Sequence, residues 1–420
     1  MTGAEAVRID RGHRARAVRL AAVLVLSLSA AGCRESTRPA ADLAGLPWDS
    51  VTARARGTAV TWRMWRGDPA IDAYVDRWVA PRVKQRFDIA LHAVEGQGPE
   101  LVNQLQIERE ARARGSADLV WINGETFHNL RRSGLLYGPW SDRLPNAAYV
   151  DSASPTIRRD FEQNPAGYES PWGTVQFALI YDSARTPSPP RSYAELAAWI
   201  HRHPGRFTYD QSFAGVTFLK QLMYALNGGV ARFQGGWNER LYQQASPKVW
   251  AWLDEVRPAL WRRGDAYPPG VAELHRLFAN DEVDFTMSNN QNEVVSKIRQ
   301  GLFPPTARAL LLRDGTIANA HFVGIPASAP NPAGAMVVAD FLLSPEAQLE
   351  KAKPEVWADG TVLDPVRLPA EWRARFEAAA GDPRALPRDS LARYARPEVA
   401  PEYHERIAAD WRARIRRRGD

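Results

Sequence analysis

The chain has 420 residues, a formal net charge of +6, and 45% hydrophobic against 24% charged residues. That length suggests two or three domain-sized units, and the balance is that of an ordinary globular protein with a large core, which excludes a disordered body. A single cysteine excludes a disulfide framework, and the lack of a basic stripe interleaved with aromatics leaves nucleic acid without support as a partner.

Residues 1–32 read as an export signal. Arg8, Arg11, Arg14, Arg16 and Arg19 form a basic region, and Leu20 to Ala30 ("LAAVLVLSLSA") is an apolar run too short to span a membrane. Cys33 follows the small pair Ala31-Gly32, which resembles a bacterial lipoprotein processing site; the departure is Ala30, where that motif usually has Leu. The alternative is a plain secretory signal with an incidental cysteine, and both readings export the chain. The leader holds a net +3, so residues 33–420 carry +3. Residues 33–57 are polar and irregular and fit a flexible tether.

The folded body is predicted to begin with a strand at 58–65 ("TAVTWRMW"). Asp68 stands as an N-cap with Pro69 at the first helical position. Ile71, Tyr74, Val75, Trp78 and Val79 then give one apolar helical face, and Pro81 is expected to kink or divide that helix. A strand at 88–94, a helix at 99–114 and a strand at 118–123 ("DLVWIN") follow. Such alternation argues for a parallel sheet with crossover helices, whose ligands sit beyond the carboxyl ends of the strands.

A long strand is read at 170–182 and a helix at 192–203. A second alternating unit opens with a strand at 206–210, then helices at 214–228, 246–262 and 271–279. A strand at 284–290, a helix at 291–301 and strands near 307–312 and 316–325 come next. Residues 333–352 divide into two helices, the second capped by Ser344 with Pro345 and Glu346 in its first turn. The terminal "RARIRRRGD" reads as a solvated helix end.

The residues at strand tips form the candidate site: Trp65, Gly67 and Asp68; Asn123, Gly124 and Glu125; Ser170 and Trp172; Tyr209, Asp210 and Phe213; Ser288, Asn289, Asn290 and Asn292. The set is rich in aromatics and carboxylates and poor in Arg and Lys, with Arg66 near the mouth as a counterweight. Aromatic faces attract cations by about 0.5–2 kcal/mol each, and a buried carboxylate would neutralise one. A flat aromatic or cationic heterocycle meets those demands. Each residue also has a plain structural reading as core aromatic, cap or turn. No H-E-x-x-H, G-x-S-x-G or phosphate-loop pattern occurs, no cofactor or metal is called for, and His201 and His203 read as surface residues. Asp68 and Glu125 could in principle act as an acid–base pair, but nothing in the sequence favours an enzyme.

"WRGDPAIDAYVDRWV", "DLVWINGETF", "ESPWGTVQF", "NAHFVGIP", "LDPVRLP" and the late "ADFLLSPEAQ" together resemble the type II periplasmic substrate-binding lipoproteins of ABC importers, in particular their thiamine-type members, over roughly 58–415. The resemblance implies an α/β fold of two lobes, each a mostly parallel sheet flanked by helices and joined by a hinge. Lobe 1 would take 58–180 and 318–420, lobe 2 would take 181–317, and the ligand would lie between them. It further implies a monomer, lipid-anchored at Cys33 in the periplasm or cell envelope, that delivers a small molecule to a permease and its ATPase. An iron chelate, polyamine or sugar remains open as the ligand.

Overall fold

The computed structural model describes Leu43 and residues 45–379 and 382–419; the leader and Cys33 lie outside them. Among the described residues there are nine strands: β1 (Ala59–Met64), β2 (Ala90–Glu95), β3 (Leu119–Ile122), β4 (Glu169–Gln176), β5 (Ala178–Asp182), β6 (Phe285–Ser288), β7 (Ala307–Leu310), β8 (Thr316–Gly324) and β9 (Ala395–Arg396). They form two sheets. One runs β2-β1-β3-β8-β4, with β9 on β8, and the other runs β6-β5-β7.

β1 pairs in parallel with β2 and β3, as the β-α-β alternation predicts, while β8 is antiparallel to both β3 and β4. In the second sheet β5 is antiparallel to both its neighbours. The first sheet is therefore mixed, with parallel pairings also between β8 and β9, and the second is antiparallel, which corrects the expectation of a mostly parallel sheet in the second lobe. In each sheet the reversed strand is the one arriving from the other lobe: β8 in the first, β5 in the second. Because β5 lies at the centre of three, its single reversal makes every pairing in that sheet antiparallel.

Two hydrophobic cores coincide with the two sheets. The first runs from Leu43 to Trp172 and from Ala320 to Leu368; the second runs from Phe177 to Ile317 and resumes from Val399 to Trp411. The fold is thus α/β with two lobes, and the chain passes between them near 173–177, near 317–320 and again between 368 and 399. The C-terminal stretch 399–411 packs in the second core, whereas the sequence reading placed it with lobe 1. Tyr403, Ile407 and Trp411 bury one face of the helix Pro401–Gly419 there.

Several local expectations change. Residues 48–55, read as tether, form a helix with Val51 and Ala55 buried in the first core. Arg143 fastens the segment just before it by donating to the carbonyls of Leu43 and Leu46 at 2.6 and 2.5 Å. The long strand at 170–182 is two strands broken at Phe177, each belonging to a different sheet. Residues 206–210 are not a strand; the carbonyls of Arg206 and Phe207 accept from Asp284 and Trp261 instead. The chain stays helical through Pro81, with a π-helical stretch at Tyr74–Val79 directly before it, where the ladder is already irregular. The capping expectations hold: Asp68 accepts from Ala70 N at 2.8 Å and Ser344 from Ala347 N at 3.2 Å.

Candidate functional site: the interlobe cleft

Between the lobes lies a cleft of about 360 Å³. The first lobe supplies Trp65, Gly67, Asp68, Gln97, Trp121, Asn123, His321, Trp357 and Asp359; the second supplies Ser212, Phe213, Gly270, Ser288, Asn289, Asn290 and Glu293; Val175 and Asn319 on the crossing strands form part of the wall. Among the described residues no Arg or Lys side chain lines it.

The mouth is held by charge. Asp68 is the cap of the helix after β1, and its Oδ2 accepts from Lys297 Nζ of the second lobe at 2.6 Å. Lys297 also lies 3.6 Å from Glu293, which sits 3.2 Å from His275 and accepts from Ser288 Oγ. Burial opposes the charge on Glu293, but His275, Lys297 and Ser288 outweigh it and hold the carboxyl below its usual range. Burial likewise opposes the charge on Lys297, and Glu293 and Asp68 raise its pKa in spite of it. Arg66 turns away from the cleft to Asp72 and Asp76, at 3.1 and 2.5 Å, so its charge is neutralised outside.

The floor is aromatic. Trp121, His321 and Trp357 meet at centroid distances of 5.0–6.0 Å, with the imidazole of His321 stacked on Trp357 at an interplanar angle of 7°. Trp172 lies beneath all three at 4.9–5.2 Å and is fully buried, so it supports the floor without facing the cleft. Below them Asp359 Oδ2 accepts from His321 Nε2 at 3.0 Å and from Lys351 Nζ at 2.8 Å. Burial opposes ionisation of Asp359, but Lys351 and His321 keep its pKa below the usual carboxylate value; burial lowers that of Lys351. The backbone of Gly173 leaves the room for this pair, since a Cβ there would stand 1.7 Å from His321 Nε2.

Of the fifteen candidates read from the sequence, Trp65, Gly67, Asp68, Asn123, Phe213, Ser288, Asn289 and Asn290 line the cleft. Gly124, Glu125, Ser170, Trp172, Tyr209, Asp210 and Asn292 do not. Gly124 is covered by Phe161, whose ring a Cβ would approach to 2.1 Å. Ser170 borders a different cavity. Tyr209 is buried in the second core, its hydroxyl accepting from Trp411 Nε1 at 3.0 Å. Asp210 is buried and its Oδ1 accepts from Ser212 N at 2.7 Å in the turn before the helix Phe213–Leu226. Asn292 precedes the helix Glu293–Arg299 and donates its N–H to Asn290 Oδ1 at 2.9 Å.

Glu125 belongs to a separate buried group behind the cleft, with Asp160, Glu169, Lys220 and Glu398. Lys220 donates to Glu398 at 2.5 Å and lies 4.3 Å over the Phe161 ring. Glu125 Oε2 and all four oxygens of Asp160 and Glu169 are sealed from solvent without a protein donor. Burial raises Glu125 to about 7 and raises Asp160 and Glu169 well above the usual range.

The strand-tip rule missed Trp121, His321, Trp357 and Asp359. Trp121 and His321 sit within strands rather than at their tips. Trp357 and Asp359 lie in a loop after the last long strand, where no periodic pattern marked them. Among the described residues no cluster of three or more His, Cys, Asp or Glu could hold a metal, and no helix is long and apolar enough to cross a membrane.

Two helix-flanked sheets joined by crossing strands, with a solute-sized cleft between them, define the type II periplasmic-binding-protein fold, a class of binding proteins rather than enzymes. Residues 78–380 match the bacterial extracellular solute-binding protein family, and the chain belongs to it. It is 37% identical to the Escherichia coli K12 protein YnjB over 336 residues, covering 79% of this chain and 86% of that one. Solved structures of similar fold include iron-bound HitA from Pseudomonas aeruginosa (TM-score 0.58, 17% identity, 85% of this chain and 99% of that one). Another is the periplasmic binding protein AfuA from Actinobacillus pleuropneumoniae with fructose-6-phosphate bound (TM-score 0.58, 15% identity, 85% and 96%). Such likeness shows the fold, and the chemical range of those solutes leaves the ligand to the cleft itself. Family membership implies a place of action outside the cytoplasm.

Proposed function

We propose that this protein is the solute receptor of an ABC importer, and that its cleft takes a small flat ligand of neutral to positive charge, with thiamine as its representative. The observation that carries the reading is the cleft wall. Trp65, Trp121, Phe213 and Trp357 present rings, Asp68 and Glu293 present carboxylates, and among the described residues no Arg or Lys lines the space. Rings and carboxylates attract a desolvated cation, while an anionic solute would find no guanidinium or ammonium on the wall. The Asp68–Lys297 contact joins the two lobes at the mouth, so closing the lobes on a ligand is coupled to forming that pair. Capture by a monomer anchored through Cys33 would then present the closed form to a permease and its ATPase.

Calorimetry of the purified protein with thiamine, its phosphates, spermidine, putrescine, ferric citrate and glucose tests the reading. Saturable one-to-one binding of thiamine without turnover is expected. Preference for ferric citrate or a sugar, with thiamine inert, would overturn it.

A further inference from the structure

Hydrogen bonding on the cleft wall is nearly all committed within the protein. Of the side chains there that can both donate and accept, Ser212 Oγ donates to Asp210 and Ser288 Oγ to Glu293. Asn290 Nδ2 donates to the Ala358 carbonyl at 3.4 Å, Asn319 Nδ2 donates to Glu398 Oε1 at 3.2 Å, and His321 is bound to Asp359. Gln97, Asn123 and Asn289 are the exceptions. Among the described residues their side-chain amides have no protein partner, and none of the three is sealed from solvent. Gln97 is exposed, whereas Asn123 and Asn289 are half-buried in the wall.

Those two stand where asparagine ordinarily bonds to the backbone. Asn123 is the N-cap of the helix Gly124–Arg132 and makes no side-chain cap bond. Asn289 lies in the turn after β6, where its neighbours do the local bonding: Ser288 Oγ accepts from Asn290 N and Asn290 Oδ1 from Asn292 N, both at 2.9 Å. The two amides come from opposite lobes, at the ends of β3 and β6, and line one space. A carboxamide holds a donor and an acceptor side by side, and it pairs with a ring edge carrying the complement, an N–C–NH2 group. Such an edge offers one acceptor and two donors. One amide takes the ring nitrogen and the nearer N–H, and the other accepts from the remaining N–H, so the edge is satisfied only when both lobes reach it.

We infer that Asn123 and Asn289 are the specificity-determining residues of the cleft, reading from opposite lobes the N–C–NH2 edge of a flat nitrogen heterocycle. This rests on the reading of the cleft as the solute site. It adds a demand that a general aromatic–acidic cleft does not make. Closing over a plain aromatic cation strips water from both amides and leaves them unpaired, which weakens binding even where rings and carboxylates are matched.

The test is titration of the unaltered protein, Asn123→Ala, Asn289→Ala and the double variant with two probes: thiamine, and the benzylthiazolium in which a benzene ring replaces its aminopyrimidine. Both probes are cations of similar size and ring content, and they differ chiefly in that edge. The unaltered protein should prefer thiamine on the order of ten- to a hundredfold, as two or three hydrogen bonds between neutral groups give. Each single variant should weaken thiamine binding about three- to tenfold and leave the benzylthiazolium within about twofold; the double variant should bind the two probes alike, within about threefold. Melting temperatures should stay within about 2 °C of the parent's, because neither side chain bonds to the protein. Equal affinity of the unaltered protein for both probes, or equal weakening of both by the variants, would overturn the inference and leave the solute-receptor reading standing. Failure of both probes to bind would overturn the two together.

Discussion

Replacing Glu125 by glutamine should stabilise the protein in mild alkali and leave it nearly unchanged in mild acid. Burial raises the Glu125 carboxyl from 4.5 to about 7, with Lys220 opposing and Glu398 adding to the shift. A carboxyl that is easier to protonate when folded contributes stability that is complete below about pH 4.5 and is lost as pH rises through about 7. At about 1.36 kcal/mol per pKa unit, the charged form costs the folded state about 3 kcal/mol relative to the neutral one. Glutamine keeps the shape and is never charged. Urea unfolding of both proteins, followed by tryptophan fluorescence, should therefore show Glu125→Gln gaining about 2–3 kcal/mol over the parent at pH 8 and less than about 1 kcal/mol at pH 5. Asp160 and Glu169 keep a residual slope of the same sign in both proteins, so the difference between the curves is the quantity read. Parallel curves, or a variant less stable than the parent at pH 8, would refute the placement of this carboxyl.

Lys220→Met should destabilise by about 3–5 kcal/mol, because it strands Glu398 among other buried carboxylates, and adding Glu398→Gln should restore most of the loss; denaturation showing no restoration would count against the pair. Trp172→Ala should cost about 3–5 kcal/mol and also weaken solute binding, since the ring supports Trp121, His321 and Trp357; unchanged stability with weakened binding would instead make Trp172 a direct contact. Glu162 reaches from the first lobe to accept from Gly235 N and Gly236 N at 3.0 and 2.9 Å. Glu162→Ala should therefore speed hydrogen exchange at those two amides, and exchange identical to the parent's would show that the contact does not hold in solution.

How much was legible follows from how local each signal is. Asp68 before Pro69 and Ser344 before Pro345 were readable as caps because capping involves only two or three consecutive residues. The alternation of strands and helices was readable because burial imposes its period on a short stretch. The break at Phe177 was not, because a single residue separates β4 from β5 with no turn signal between them, and only their partners, β8 for one and β6 and β7 for the other, divide them. Tyr209 and Asp210 looked like rim residues because residues 206–210 imitate a strand, whereas Tyr209 joins the core of the second lobe and Asp210 is buried in the turn before the next helix, accepting from Ser212 N.

By itself the sequence determined an α/β protein with two sheet-forming units and a rim rich in rings and carboxylates, since composition, period and caps are properties of neighbouring residues. Only the tertiary structure decided which of those residues meet. It turned β8 and β5 against their neighbours, sent 399–411 to the second lobe, and drew Trp121, His321, Trp357 and Asp359 from three distant segments into one floor. Trp121 and His321 meet through an antiparallel register between strands far apart in the chain, and Trp357 and Asp359 join them through a loop that the Lys351–Asp359 ion pair and the Thr174–Gly360 bond hold in place.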